Sequence, residues 1–151
     1  LARAAQDYFD DQFHLYGRNW DSLGLKSNGF SENKAQVLKR SVFSICLENS
    51  HLHPGYVTEK LLETVFYGAI PIYYCTGHSR RKVPHGVFLN VADFKSTEAL
   101  FDHLRRMPDS QIIEMRGRGS EWMASENFHI FDSHFNSNFF WETLDNKISA
   151  Y

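Results

Sequence analysis

Within Tyr56-Val57-Thr58-Glu59-Lys60, a hydroxyl, a carboxylate and an ammonium occupy successive positions where the pattern predicts a helix to open at Thr58 and to end at Gly68. The first turn of a helix presents unpaired N–H donors and about half a positive charge, so it favours an anion. A lysine there opposes the dipole by about 0.3–1 kcal/mol. An anion held between its ammonium and the N–H groups would reverse that sign. Glu59 and Glu63 are like charges at i and i+4, again mildly unfavourable. The plainer reading keeps Lys60 as a solvated surface residue and Glu59 as a carboxylate that complements the dipole. On pattern alone both readings stand.

Other chemistry is marked by absence. The sequence has no G-x-x-x-x-G-K-Ser/Thr loop and no G-x-G-x-x-G, which removes support for ATPase and dehydrogenase readings. It has no H-E-x-x-H, no paired C-x-x-C, no D-x-D and no G-x-S-x-G elbow. Of eight histidines, His51 and His53 are the closest pair, but they stand just before a proline in a loop, without acidic or cysteine ligands at metal spacing. Adjacent Asp10 and Asp11 read as the exposed end of a helix. Cys46 and Cys75 lie in apolar, strand-like runs, where buried free thiols are the ordinary expectation. Two cysteines and no N-x-Ser/Thr sequon lean towards a reducing compartment.

The elements that must position these groups follow from periodicity and punctuation. A helix is predicted over Ala2–Asp11 and a short strand over Phe13–Tyr16, with a loop over Asn19–Gly29. Ser31 is expected to cap a helix to Arg40. Val42–Leu47 reads as a strand buried on both faces of a parallel sheet. After the Thr58 helix, whose Leu61, Leu62, Val65 and Phe66 share one face, come strands Ile70–Tyr74 and Val87–Val91. Pro71 stands near a strand start, where a missing N–H is best tolerated. Helices are predicted from Ser96 to Met107 and from Asp109 to Met123, then a last one carrying Phe135, Phe139, Phe140, Leu144 and Ile148. Alternation of this kind argues for an α/β fold with a parallel sheet. Right-handed crossovers gather the strand C-termini on one edge, where ligands bind. That edge collects Gly17-Arg18, Glu48-Asn49-Ser50, Thr76–Ser79 and Asp93.

The chain has 151 residues, room for about one domain. With 42% hydrophobic and 15% aromatic residues it carries enough apolar area to exclude intrinsic disorder. No apolar run approaches the roughly 20 residues of a membrane helix. A net charge of −2 and a pI near 6.5 argue against a basic face for nucleic acid. Short cationic groups (Arg80-Arg81-Lys82, Arg105-Arg106, Arg116, Arg118) remain available to a small anion. The sequence opens at Leu1 with neither a charged nor an apolar leader, and it reads as a piece of a longer chain.

The run FSICLENSHLHPGYVTEKLLETVFYGAIPIYY resembles the α-1,3/α-1,4-fucosyltransferase family. The family's signature is an apolar strand ending in E-N-S/T, then Y-V/I-T-E-K, a helix and G-x-x-P-I/V-x. Val87–Phe94 and Tyr16-Gly17-Arg18-Asn19-Trp20 resemble flanking family segments. The resemblance covers roughly residues 1 to 110. It implies a Rossmann-like parallel sheet flanked by helices, one half of an inverting GT-B glycosyltransferase. Residues 1–151 would form the single C-terminal, GDP-fucose-binding domain, with 124–151 as a helical tail and the acceptor domain absent. Lys60 would contact the donor diphosphate and stabilise the leaving group, with Asn49 beside it. Tyr56 and Glu59 would line the nucleotide and fucose. The family's upstream arginine is matched by Arg3 or by Arg18. The general base would lie outside this chain, and no metal or other cofactor would be required. Partners would be GDP-fucose and, through the absent domain, an oligosaccharide or glycoconjugate acceptor. The family setting is cytoplasmic or peripheral to the membrane in bacteria and the Golgi lumen in eukaryotes. Rival readings are a nucleotide-sugar-binding module without transfer, a similar transferase with a UDP- or ADP-sugar donor, and a structural α/β interaction domain.

Overall fold

The structure is a computed structural model that describes residues 1–47, 57–75 and 82–128. Its centre is a parallel sheet in the order β1 (Phe43–Cys46), β2 (Ile70–Tyr73), β3 (Leu89–Asn90). Ile45 pairs with Ile72, and Ile72 with Leu89. Around it lie α1 (Ala2–Phe9), α2 (Lys34–Arg40), α3 (Glu59–Phe66), α4 (Thr97–Arg106) and α5 (Asp109–Met123). No helix among the described residues is long and apolar enough to cross a membrane.

Strand alternation divides the core into two layers. Tyr73 faces α3 and the end of α5, packing with Leu61, Leu62, Val65, Trp122 and Phe128. Ile72 faces the other way, onto Ala5 of α1 and Leu100, Phe101 and Leu104 of α4. Gly119 permits the close crossing of α5 over α3, since a Cβ there would lie 2.9 Å from Val65 Cγ1. The predicted apolar face of α3 is buried throughout. Cys46 and Cys75 are buried thiols, not joined in a disulfide.

Pro71 is fully buried in the central strand, yet its missing donor is harmless. The Ile70 amide donates to Val42 O in the β1 segment at 2.8 Å, so alternation turns the nitrogen of Pro71 towards β3. Pairing with β3 begins only at Ile72.

Four expectations are corrected. Among the described strands β1 is at the edge of the sheet, with Phe43, Ser44 and Ile45 only half-buried; the strand buried along its whole length is β2. Phe13–Tyr16 forms no ladder, because the Asn28 side chain takes the Leu15 amide at 3.0 Å where a partner carbonyl would stand. Strand Val87–Val91 shrinks to Leu89–Asn90, since the Asn90 side chain accepts the Ala92 amide and turns the chain into a 3-10 turn over Val91–Asp93. The cap of α2 is Asn33, which accepts from the Gln36 amide at 2.9 Å, while Ser31 Oγ accepts from the Asn33 amide two residues too early to start the helix. The other predicted helices stand within one or two residues of their expected bounds, the first closing in a 3-10 turn over Asp10–Gln12. The proposed C-terminal helix and most of the 124–151 tail (residues 129–151) lie outside the described residues.

Candidate functional site

The carboxyl ends of parallel strands form the edge at which open α/β sheets bind ligands, and α3 starts at that edge. Thr58 is extended at the cap position (φ −111°, ψ 177°) and its hydroxyl accepts from the Lys60 amide at 3.4 Å. From this first turn the Lys60 side chain reaches back to β1, where Nζ donates to the Leu47 carbonyl at 3.2 Å. Leu47 is the first residue beyond the strand, so the ammonium stands at the sheet's carboxyl edge. Lys60 is half-buried. Thr64 Oγ1 donates to the Lys60 carbonyl at 2.8 Å and lies 3.0 Å from Cys46 Sγ, the last residue of β1.

An ammonium has three N–H donors and no acceptor. Held beside a helix N-terminus, it is suited to a phosphate-type anion, since both supply positive potential to the same place. Glu59 lies exposed at the first helical position. Glu63, the other half of the like-charge pair, is engaged by Lys34 of α2 at 2.5 Å. That ion pair gives Glu63 a structural role, so the i, i+4 pair says nothing about a ligand.

Asn49 and Tyr56 lie outside the described residues, as do Glu48, Ser50, His51, His53 and 76–81. Arg3 and Arg18 have partners away from Lys60. The Arg3 guanidinium donates to the carbonyls of Leu23 and Gly24 and ties α1 to the loop. Arg18 lies over the Phe30 ring, 5.1 Å from its centroid. Three of the other arginines singled out as anion contacts are also structural ties: Arg105 to the Tyr8 carbonyl and ring, Arg116 to the Ser41 carbonyl, Arg118 to Glu114. Among the described residues no three His, Cys, Asp or Glu side chains gather as a metal would require.

One residue at this edge escaped sequence reasoning. Asn90 is buried, accepts from the Cys75 amide at 3.2 Å and donates to the Cys75 carbonyl at 3.0 Å. It thereby extends the β2–β3 pairing by a side chain and fixes where the chain leaves β2. An amide inside the apolar run Val87–Val91 was the available signal, because a buried polar group must find partners. Among the described residues titration is perturbed at two positions. A hydrogen bond to Asp102 raises the pKa of Tyr8. At the start of α4, Glu98 is held below the usual carboxylate range by its own backbone N–H and by the Ser96 hydroxyl.

Comparison with known proteins places this geometry. Residues 6–136 match the model of glycosyltransferase family 10 (fucosyltransferase), C-terminal part. Alpha-(1,3)-fucosyltransferase FucT of Helicobacter pylori is 34% identical over 74 residues, 49% of this chain and 15% of that protein. Alpha-(1,3)-fucosyltransferase 4 of Bos taurus is 32% identical over 97 residues, 62% of this chain and 24% of its own length. The chain thus spans a quarter or less of these relatives. A solved α1,3-fucosyltransferase with GDP-fucose superposes with a TM-score of 0.54 at 25% identity, covering 76% of this chain and 35% of that one. A second α1,3-fucosyltransferase structure gives 0.51 at 31% identity over 60% of this chain and 27% of that one. With a parallel sheet flanked by helices, a lysine in the first turn of α3 at its carboxyl edge and a family match along most of its length, the chain belongs to glycosyltransferase family 10, the fucosyltransferases.

Proposed function

We propose that this chain is the donor-binding domain of an enzyme that transfers L-fucose from GDP-fucose to a saccharide hydroxyl, with inversion at the anomeric carbon and formation of an α-1,3 linkage. The observation that carries the reading is the position of Lys60 Nζ, 3.2 Å from the Leu47 carbonyl at the strand edge and on the first turn of α3. Names of the similar proteins support the linkage and the donor class. On this reading the acceptor hydroxyl attacks the fucose anomeric carbon as its bond to the GDP phosphate breaks. Negative charge then grows on the departing phosphate. Lys60 and the α3 N–H groups meet that charge, and stabilisation realised in the transition state raises turnover. Asn49, Tyr56 and Glu59 line the nucleotide and sugar. Residues outside this sequence supply the acceptor site and the carboxylate that takes the acceptor's proton. No metal is required in this scheme.

The test is ligand-dependent melting of the full-length protein with GDP-fucose, GDP and UDP-glucose. A ligand at a hundred times its dissociation constant stabilises the folded state by about 2.7 kcal/mol. GDP ligands are expected to shift the transition and UDP-glucose to leave it in place. Equal shifts with UDP-glucose would assign a different donor.

A further inference from the structure

Among the described residues, Lys60 is held at three points. Its amide meets the Thr58 hydroxyl, its Nζ meets the Leu47 carbonyl, and its own carbonyl accepts from Thr64 Oγ1 at 2.8 Å. The third point differs from the other two, because Thr64 Oγ1 also lies 3.0 Å from Cys46 Sγ, and Cys46 is the residue before Leu47. Thr64 therefore joins the helical turn that carries the ammonium to the strand end that supplies its acceptor. Thr64 is 1% exposed, inside the layer formed by Leu61, Val65 and Tyr73. A threonine hydroxyl bonded to the carbonyl four residues earlier often bends a helix. Here that bond acts on the first turn, where a small tilt moves the end of a long side chain.

We infer that Thr64, through its paired contacts to the Lys60 carbonyl and Cys46 Sγ, is a positioning residue that sets where the Lys60 ammonium meets the donor phosphate. This rests on the proposed function, and it goes beyond it by assigning a role to a buried hydroxyl that touches no substrate. Thr64→Val keeps the branched shape and removes the hydroxyl. Thr64→Ser keeps the hydroxyl and removes a methyl group.

The experiment measures kcat and donor KM of the full-length protein with GDP-fucose for Thr64→Val, Thr64→Ser, Lys60→Ala and the double variant Lys60→Ala/Thr64→Val. Misplacing a catalytic group by a fraction of an ångström is expected to lower kcat about three- to tenfold in Thr64→Val. Donor KM should stay within about twofold and Thr64→Ser should keep most of the turnover, because the hydroxyl is the active element. Adding Thr64→Val to Lys60→Ala should cost nothing more in kcat, since coupled residues are not additive. An unchanged kcat in Thr64→Val, or an undiminished further loss in the double variant, overturns the role of Thr64. Full activity in Lys60→Ala overturns the reading of Lys60 and the role of Thr64 with it. Should Thr64→Val not fold, Cys46→Ala measured in the same way decides, and unchanged kcat there overturns the tether.

Discussion

Helices α3 and α4 each follow a strand of the parallel sheet in the chain, and their first turns carry opposite charge at the same position. In α4 the cap is Ser96, whose hydroxyl accepts from the Ala99 amide at 3.2 Å, and the second helical residue is Glu98. In α3 the cap is Thr58 and the second helical residue is Lys60. The Glu98 carboxylate turns onto its own N–H and the Ser96 hydroxyl, so the chain itself provides the anion that a helix N-terminus favours. In α3 a cation stands there instead, and its ammonium is drawn to the Leu47 carbonyl. Glu59 puts one carboxylate in the α3 turn too, but it lies exposed at the first helical position. Following a strand therefore does not define a donor site. The difference is whether a helix supplies its own counter-charge or sets a second positive group beside its dipole.

Removing that second positive group is the largest way to break the comparison. Lys60→Ala in the full-length protein is expected to cut turnover about a hundredfold or more, the loss of about 3–4 kcal/mol typical of an electrostatic donor aimed at developing charge. Its melting temperature should stay near that of the parent protein, since the bond from Nζ to the Leu47 carbonyl is open to solvent and water can replace it. Steady-state kinetics together with a melt separates the two effects. Near-normal turnover would put Lys60 among the solvated lysines.

The next effect falls on the geometry of the edge itself. Asn90→Ala removes a buried amide that satisfies both the N–H and the C=O of Cys75. Losing those hydrogen bonds costs about 0.5–1.5 kcal/mol each. Urea unfolding should show a lowered midpoint with an unchanged slope. Binding of GDP should weaken less than it does in Lys60→Ala, because Asn90 supports the edge and Lys60 carries the charge. Equal losses of affinity in the two variants would erase that distinction.

The same residues show how far the sequence could be read. Helix α3 was legible because its signals are local: a hydroxyl at Thr58, apolar residues on one face and a glycine at φ 85° after its end. The span of α5, Asp109–Met123, likewise has a local signal in the proline that precedes it. What was missed depends on side chains reaching across the fold. Asn28 intercepts the Leu15 amide from thirteen residues away, so one predicted strand fails for a reason no short window contains, whereas Asn90 shortens the other locally by taking the Ala92 amide. The edge placement of β1 likewise depends on which strands stand beside it. Lys60 was singled out by its sign at a helix start and by the family motif. Its acceptor at Leu47 and the Thr64–Cys46 contact, eighteen residues apart, appear only when strand and helix pack. The paired glutamates misled for the same reason, since Lys34 lies twenty-nine residues from Glu63.

The smallest effect tests the closed helix end. The folded-state pKa of Glu98 is depressed, so the unfolded chain binds its proton more readily than the native one. Linkage then makes the ionised carboxylate a stabilising group at pH values above its ordinary, unfolded pKa of 4.5, and that stabilisation fades as pH falls through the lower, folded-state value. Melts of the parent protein and Glu98→Gln between pH 7 and pH 3 should therefore differ most at the neutral end and converge at the acid end, with the variant the less stable of the two. GDP affinity at pH 7 should be the same in both, because this helix end already holds its anion. If Glu98→Gln were to weaken GDP binding, both N-termini would serve the donor, and the contrast between α3 and α4 would be one of degree.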